Sequence, residues 1–274
     1  MSASLALPLE RYRDSLAQVQ PQPAGASQSW LAKHRHEAAQ SLQRLGFPQR
    51  RQEAWRYTSV DRLLAHEFAQ SAGATLPDID LQAFLLPSLD VHRAVFVNGR
   101  FAPALSSLEG LSPGVTVGSL KQQIAHNPIV PAGWLGKAAG APAHVFSAMN
   151  TAAMEDGLFI HVVQGQEPAR PIEVLHLSSA PAAAVMAQSR NLVLLEAGAR
   201  ATLIERYASP DGSLYFNNSM SEFFLQDDAD LEHYRLQDES LAAYHLHRLF
   251  IHQHERSHYR NTGFALGAAS VSYT

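Results

Sequence analysis

The sequence of 274 residues contains no cysteine. This absence excludes disulfide bonds, thiolate zinc sites, cysteine nucleophiles and any cysteine-held metal cluster within the chain. The N-terminus lacks the basic region and apolar core of a signal peptide, and no apolar run approaches the ~20 residues that span a membrane. Because a chain without cysteine also fits a reducing compartment, we predict a cytoplasmic protein with no membrane segment.

Glycine-rich nucleotide-binding loops are also missing. The sequence has no G-x-G-x-x-G after a strand, no G-x-x-x-x-G-K-[ST] and no G-x-S-x-G. Without a phosphate cradle, the chain is not expected to hydrolyse ATP. The formal net charge of -4 gives no basic surface for nucleic acid, whereas 46% hydrophobic residues can build a substantial core.

A repeated strand pattern occupies the chain from Arg190 onward. Short segments that alternate with period 2 are separated by corners near Gly198, Asp228, Glu255 and Gly267. Evenly spaced strands with small or polar corners predict a β-solenoid, with a β-sandwich as the alternative.

Composition divides the chain into three regions. Residues 1–75 carry helical patterns over Leu5–Val19 and Ser27–Leu45, and they predict a small helical domain. Residues 76–155 form a mixed α/β connecting region, and residues 156–274 form the β core.

The connecting region is predicted to contain one hairpin and two short helices. Asn98-Gly99, within Val91–Phe101, is a preferred pair for a tight turn that needs positive φ. Ser119–His126 and His144–Met154 are predicted as short helices.

The sequence ends inside the strand pattern, in V-S-Y-T. A solenoid end normally carries a polar cap, because an open coil exposes unpaired backbone groups and apolar side chains. We therefore expect a fragment of a longer protein. Its open coil, Phe264–Thr274, is expected to make the isolated chain self-associate or aggregate, with a homodimer as one possible form.

Five histidines near the C-terminus are candidate metal ligands. His245 and His247 share one face of a strand, as do His252 and His254, and His258 follows. Such pairs can chelate Zn²⁺ or Fe²⁺, and stacked coils would bring the two pairs together, which makes a metal-binding module one alternative function. The other interpretation is that they are ordinary polar side chains. Because no third and fourth ligand can be identified, no metal ligand is assigned.

Acidic residues cluster around the predicted corner at Asp228. The cluster comprises Asp227, Asp228, Asp230, Glu232, Asp238 and Glu239. Paired carboxylates on a β-helix can act on sugars or bind Ca²⁺, so a carbohydrate-active β-helix enzyme is a second alternative. It requires a groove with two carboxylates roughly 5–10 Å apart. Solvated acids at a corner are the more common arrangement, and no catalytic residue is assigned.

The segment E-A-W-R-Y-T-S has an aromatic-basic-aromatic pattern. Such a pattern can form a binding surface. The structural interpretation is that Trp55 and Tyr57 pack the helical domain onto its neighbour, while Arg56 pairs with a carboxylate.

Two further groups of polar residues have structural interpretations. Asn217-Asn218 fits a turn or a stacked amide within the coil. Asn150 fits the cap of a turn or helix, and Asp156-Gly157 fits a hairpin entry.

A series of short motifs runs through nearly the whole chain. They are R-x-E-x-W-R-Y-T (Arg51–Thr58), F-V-N-G-R-F (Phe96–Phe101), N-T-A-A-M-E-D-G-L-F-I-H-V (Asn150–Val162), R-P-I-E-V-L-H (Arg170–His176), the block Arg190–Tyr207, F-N-N (Phe216–Asn218) and H-Y-R-L-Q-D-E-S (His233–Ser240). In this order they resemble the SufB/SufD family of iron–sulfur cluster assembly scaffolds. The early W-R-Y-T is more similar to SufD than to SufB.

The resemblance implies a mainly β fold, in which a small helical N-terminal domain leads into a right-handed parallel β-helix. It also implies a non-catalytic scaffold subunit of the SufBCD complex, which assembles and transfers iron–sulfur clusters in the cytoplasm. A SufB-like subunit would pair through the β-helix, and a SufC-like ATPase would dock on a C-terminal helical domain that this sequence lacks. The cluster would be handled by the parent complex, with no catalytic, cofactor or metal residue in this chain.

Overall fold

A computed structural model describes residue 10 and residues 29–48, 52–56, 60–71, 80–180 and 183–273. The predicted helix over Leu5–Val19, apart from residue 10, and Tyr57 lie outside these ranges. Within them, two largely parallel sheets dominate the chain, with short helices concentrated in its first half. The predicted mainly β solenoid is confirmed.

In the described part of the chain the helices lie on the outside of the sheets, and all but the first have nine residues or fewer. They are α1 (Ser29–Arg44), α2 (Asp61–Leu64), α3 (Leu120–His126), α4 (Ile129–Trp134) and α5 (Val145–Ala153), with 3-10 turns at Glu53–Trp55, Leu81–Phe84 and Pro103–Leu105. The predicted helices Ser27–Leu45, Ser119–His126 and His144–Met154 therefore form over the residues that the structure describes, with each described end within one residue of the prediction. Among the described residues, no helix is long and apolar enough to cross a membrane.

Over the residues that the structure describes, fourteen strands build the two sheets. They are β1 (Ala69–Gln70), β2 (His92–Val97), β3 (Arg100–Phe101), β4 (Val115–Ser119), β5 (Leu158–Val162), β6 (Ile172–Leu177), β7 (Val185–Ala187), β8 (Arg190–Leu195), β9 (Arg200–Ala208), β10 (Tyr215–Leu225), β11 (Asp230–Asp238), β12 (Tyr244–Gln253), β13 (His258–Ala265) and β14 (Ser270–Tyr273). The first sheet has the order β1-β7-β10-β8-β5-β4, with β12 beside β10 and β14 beside β12. The second sheet has the order β13-β11-β9-β6-β2-β3.

From β8 onward the chain alternates between the two sheets, and each strand pairs in parallel with the strand one coil earlier. Antiparallel pairing occurs between β2 and β3 and between β4 and β5. The first of these pairs is the predicted hairpin, in which Asn98 and Gly99 have φ values of 48° and 79°.

The corners between coils use left-handed backbone conformations. Gly198, Asp228, Arg256 and Ala268 have φ values of 68°, 58°, 54° and 72°. The first two corners lie where the sequence predicts them, and the last two lie one residue later. Successive corners are joined by backbone hydrogen bonds. The amide of Asp228, for example, donates to the carbonyl of Glu255 at 2.9 Å.

The space between the sheets has two zones. Towards the corner that carries Asp228 it is filled by apolar side chains, including Val193, Leu203, Phe223 and Leu231, all 0–1% exposed. Burial of this apolar surface is the main stabilising contribution to the coil. Polar side chains fill the space towards the opposite corner.

The helices cover the outer face of the first sheet. A core joins Trp55 of the N-terminal region to Phe146 of α5 and to Phe216 and Tyr244 of the sheet. The rings of Trp55 and Phe146 lie 5.7 Å apart. The packing role predicted for Trp55 is therefore confirmed.

A buried ion pair, Arg190–Glu222, attaches the loop after α4 to the outer face of the first sheet. The two side chains, 2% and 0% exposed, approach to 2.5 Å. Glu222 also accepts hydrogen bonds from the backbone N–H groups of Gly136, Ala138 and Ala139 at 2.9–3.0 Å. One carboxylate thus holds both a buried guanidinium and the loop that follows α4.

The second sheet is open at β13. Within the described structure β13 pairs with β11 alone, and nearly all of its side chains are exposed. Phe264 and Leu266 are 59% and 66% exposed. The free strand edge and these apolar side chains form a surface that can associate with another chain.

Candidate functional site

A layer of buried polar side chains lies between the two sheets, and we call it the polar layer. It consists of His176, Asn191, Glu205, Tyr207, Tyr215, Asn217, Ser219, Ser221, His233, Arg235, Gln237, Glu239, His245 and His247, each at most 7% exposed. Contacts between the sheets show that these side chains point inward: Asn191 of β8 approaches Glu205 of β9 at 3.5 Å, and the Tyr207 hydroxyl of β9 lies 3.4 Å from His247 of β12.

Glu205 is the centre of the first half of the layer. The Tyr207 hydroxyl donates to its carboxylate at 2.9 Å, and Arg235 approaches it at 3.3 Å. The imidazoles of His176 and His233 lie 3.5 and 3.3 Å from its oxygens. Five side chains therefore surround one fully buried carboxylate when Asn191 is included.

Glu239 is the centre of the second half. It accepts hydrogen bonds from the Tyr215 hydroxyl at 2.8 Å, from Asn217 at 2.9 Å and from Gln237 at 3.1 Å. His245 Nδ1 lies 2.6 Å from Oε2, the carboxylate oxygen that also accepts from Gln237. The carboxylate is saturated with partners, as expected for a buried charge.

Local electrostatics keeps both carboxylates ionised. Burial alone would raise the pKa of Glu205, but hydrogen bonds from His176 and His233 and the charge of Arg235 hold this pKa well below its usual range. Burial likewise opposes ionisation of Glu239, and His245 lowers its pKa.

The same environment keeps neighbouring groups neutral. Burial and the adjacent Arg235 guanidinium hold the pKa of His247 well below its usual value. Burial and the charge of Glu205 raise the pKa of Tyr207 well above its usual value. The layer is thus a fixed arrangement of charged and neutral groups.

Rings stack along the axis of the coil at one edge of the layer. The centroids of Phe96 and His176 lie 5.4 Å apart, and those of His176 and Tyr207 lie 4.5 Å apart, with the latter planes within 9° of parallel. The stack arises because the three residues occupy the same inward position in β2, β6 and β9. It ties three coils together.

The polar layer contains groups used in acid–base catalysis but has no access for a substrate. A histidine held by a carboxylate, as His245 is held by Glu239, is a common general base. Both side chains are 0% exposed, however, so no reacting group can approach them. The arrangement favours a structural role.

The five candidate histidines do not come together. His245 and His247 lie inside the polar layer, whereas His252, His254 and His258 lie on the surface. The expectation that stacking would join the two pairs is wrong, because 247 and 252 differ by an odd number and alternate residues of a strand face opposite sides. Among the residues that the structure describes, no three His, Asp or Glu side chains are placed to hold a metal ion.

The acidic corner does not form a groove. Asp228 pairs with Arg256 at 2.7 Å, and Arg260 bridges Asp230 and Glu232 at 2.9 and 3.2 Å. These carboxylates are 29–55% exposed and neutralised by arginines of the next coil. Of the predicted cluster only Glu239 is buried, and it belongs to the polar layer. The carbohydrate-enzyme alternative is not favoured.

The prediction for Asn150 needs correction, and of the two alternatives for Asn217-Asn218 the turn is excluded. Asn217 and Asn218 lie within β10 rather than in a turn, and they point to opposite faces of the sheet. Asn150 lies within α5, where its amide donates to the carbonyls of Ser189 and Asn218 at 2.8 Å and thereby anchors the helix to the sheet.

Asp156 is a local anchor rather than a hairpin entry. Its carboxylate accepts from the Ser119 hydroxyl at 2.7 Å and from the backbone of Phe101, Lys121 and Gly157. It therefore connects the predicted β2–β3 hairpin to the start of α3.

Glu205, the centre of the first half of the polar layer, was not identified from the sequence, and neither were Tyr207 and Arg235 beside it. The period-2 pattern of the strands does indicate their positions. Glu205 and Tyr207 lie two and four residues after the inward-facing Leu203. Arg235 lies four residues after the inward-facing Leu231. Extending this alternation from the leucines along each strand predicts that Glu205, Tyr207 and Arg235 point into the coil.

The fold and the polar layer together define a parallel β-helix protein whose filled interior is apolar in one half and polar in the other. Comparison of the sequence with known families identifies the kind of β-helix. A sequence model of the SufBD protein N-terminal region matches residues 9–174, and one of the SUF system FeS cluster assembly SufBD core domain matches residues 176–273. The chain belongs to the SufBD family.

Curated relatives agree with this assignment. The chain is 32% identical over 253 residues to an iron–sulfur cluster assembly SufBD family protein of Synechocystis, covering 89% of this chain and 56% of that protein. It is 29% identical over 238 residues to the iron–sulfur cluster assembly protein SufD of Escherichia coli, covering 82% of this chain and 53% of that protein. The chain therefore spans about half the length of these relatives.

Proposed function

We propose that the chain acts as a SufD-like, non-catalytic scaffold subunit of a cytoplasmic complex that assembles and transfers iron–sulfur clusters. One observation carries the proposal: the SufBD core match, over residues 176–273, falls on the continuous parallel coil that contains the polar layer. The non-catalytic role is supported by the buried His245–Glu239 pair, which no substrate can reach. In this proposal the cluster is the cargo of the complex.

The partners follow from the same proposal. A SufB-like subunit pairs through the β-helix, for which the free edge of β13 offers unpaired backbone groups. A SufC-like ATPase supplies nucleotide hydrolysis, because this sequence has no phosphate-binding loop.

Co-purification tests the proposal. The tagged chain is co-expressed with a SufB-like and a SufC-like protein, and an unrelated β-helix protein with the same tag serves as control. We expect the tagged chain to retain the SufB-like protein, and the SufC-like protein only when the SufB-like protein is present. Failure of the folded chain to retain the SufB-like protein would contradict the proposed function.

Two substitutions locate the contact. Phe264 in β13 and Ile129 in α4 are both exposed apolar residues, at 59% and 80%. A lysine at the free strand edge opposes pairing with another strand. We therefore expect Phe264→Lys to reduce retention of the SufB-like protein at least tenfold, while Ile129→Lys leaves it unchanged. Equal retention by both variants would exclude the β13 edge as the contact.

A further inference from the structure

The outer face of β12 extends past the helices that cover the first sheet. Leu246 is buried under this cover, whereas Arg248 and Phe250 are half-buried and His252 is exposed. All four alternate with inward-facing side chains such as His247, so they share the outer face of the strand. We call Arg248, Phe250 and His252 the β12 ledge.

The ledge runs beside three covered residues of the neighbouring strand, in register Met220, Glu222 and Phe224 of β10. These three side chains are 0–2% exposed, because α5, the loop after α4 and Trp134 lie over them. The ledge is therefore an open strip beside a raised wall, with successive outward side chains about 7 Å apart along the strand.

Arg248 is a half-buried cation that pairs with no carboxylate in the described part of the chain. Five other buried or half-buried arginines each pair with a glutamate: Arg93, Arg100, Arg190, Arg206 and Arg235. Glu222, one strand away on the same face, is occupied by Arg190 and by three backbone amides. Burial lowers the pKa of Arg248, and burial together with the charge of Arg248 lowers the pKa of His144. The ledge thus carries one positive charge without a counter-ion.

The nitrogens of Arg248 leave one end of the guanidinium open to a ligand. Nη1 donates to the Ser147 hydroxyl of α5 at 3.1 Å, and Nε is buried. Nη2 is not buried and has no hydrogen-bond partner among the described residues. The open end is the fork of Nη1 and Nη2, and such a fork matches the two oxygens of a carboxylate.

The apolar ring of Phe250 lies next to this charge. Its centroid is 5.8 Å from the guanidinium carbon of Arg248. A ligand that contacts both residues therefore combines a carboxylate with an apolar group. Side chains two residues apart in an extended peptide lie on one side of the chain about 7 Å apart, which is the spacing of Arg248 and Phe250. Small-molecule sites are concave, so the open ledge fits a peptide better.

We propose that the β12 ledge binds an extended acidic peptide segment of a partner protein. A carboxylate of the segment contacts Arg248, and an apolar side chain two residues away covers Phe250. A phosphate group would bring up to two negative charges to a single cation, so a carboxylate fits better. The ledge is independent of the scaffold function proposed above, because it lies on the outer face of the first sheet and does not involve β13.

Titration of the isotope-labelled chain at pH 7 with the peptide acetyl-Gly-Glu-Gly-Leu-Gly-amide tests the proposal. We expect saturable shifts of the side-chain NMR resonances of Arg248 and Phe250. The same peptide with glutamine in place of glutamate keeps the shape but lacks the charge, and it should bind at least tenfold more weakly. Replacing the leucine by glycine should also weaken binding, because Phe250 would stay uncovered.

Substitutions in the chain locate the contact. Arg248→Gln should weaken binding of the glutamate peptide at least tenfold. It should not lower the free energy of unfolding, because it removes a half-buried charge that has no counter-ion. Arg200→Gln, at an exposed position of β9, should bind the peptide like the unmodified chain. Phe250→Ala provides a second variant if Arg248→Gln fails to fold.

Two results would overturn the proposal directly. They are shifts that stay linear with peptide concentration, and equal binding of the glutamate and glutamine peptides. Sedimentation of the unmodified chain and of Arg248→Gln tests a second copy of this chain as the occupant. Self-association that this substitution weakens would assign the ledge to the second copy and would also overturn the proposal, whereas unchanged self-association would support a separate partner.

Discussion

Glu205 shows how a single buried carboxylate organises its neighbours. An isolated charge in a protein interior is costly, and burial would favour the protonated form. Around Glu205, the imidazoles of His176 and His233 and the guanidinium of Arg235 reverse this preference. Removing the charge of Glu205 would therefore leave the buried side chains of His176, His233 and Arg235 without the carboxylate that they now contact.

We expect Glu205→Gln to lower the free energy of unfolding by about 3 kcal/mol, because Arg235 would remain buried without its counter-ion. The measurement is urea unfolding followed by circular dichroism. The matched control is Glu232→Gln, whose carboxylate is 38% exposed and paired with Arg260 at the surface. It should change the free energy of unfolding by about 0.5 kcal/mol or less. Equal losses in the two variants would contradict the structural role of Glu205.

Acid is expected to destabilise the folded chain in two stages. The pKa of His247 is depressed in the folded state, so between this pKa and about 6.5 the unfolded chain binds more protons. Stability should therefore fall as the pH drops below about 6.5, by up to ~1.4 kcal/mol per pH unit. The pKa values of Glu205 and Glu239 are also depressed, so their contribution is present above about 4.3 and is lost as the pH falls through their folded-state values.

The first stage is assigned to His247 by substitution. We expect His247→Gln to reduce the slope of the free energy of unfolding between pH 6.5 and 5, while His252→Gln, at an exposed position, leaves it unchanged. Urea unfolding at half-unit pH intervals measures the slope. An unchanged slope in His247→Gln would show that other groups cause the acid sensitivity.

At the scale of elements, Glu222 connects a strand of the first sheet to the loop after α4. It binds three backbone amides and Arg190 at once. We expect Glu222→Ala to lower the free energy of unfolding by about 3–5 kcal/mol, because Arg190 would lose its counter-ion. The amides of Gly136, Ala138 and Ala139 should also exchange with solvent at least tenfold faster. Hydrogen exchange measured by NMR checks this result.

The control for this prediction is Glu167→Ala, at an exposed position between β5 and β6. It should change neither the free energy of unfolding nor the exchange of the three amides. If Glu222→Ala left these amides protected, the loop would be held by its apolar contacts alone.

Local elements were more predictable from the sequence than the site. The Asn98-Gly99 hairpin and the helix capped by Ser119 follow from interactions within a few residues, and both were predicted. The polar layer depends on side chains from different coils, such as Glu205 and His233, that meet only after the strands stack. The period-2 pattern predicts which side chains of a strand point inward, but it does not predict which polar side chains of different strands come into contact inside the coil. The expectation that stacking would join the pair His245 and His247 to the pair His252 and His254 failed, because the two pairs point to opposite faces of β12.

At the scale of the whole molecule, the free edge of β13 is expected to cause self-association. We predict that the isolated chain forms dimers or larger species as its concentration rises, and that light scattering detects them. Thr262→Lys, on exposed β13, should reduce self-association, because charged residues at a strand edge oppose pairing. Thr202→Lys, on the same face of central β9, should not. A concentration-independent monomer would contradict this prediction.

The two zones of the interior also restrict how the coils can shift along one another. Sliding one strand by two residues would keep the alternation of inward and outward side chains, so alternation alone does not oppose the shift. The same shift would place Glu205 at the level of Leu203, among apolar side chains, where a charge is costly. The boundary between the zones thus fixes the axial alignment of successive coils. Insertions or deletions in this lineage should accordingly accumulate in connections such as residues 209–214, and not within the strands.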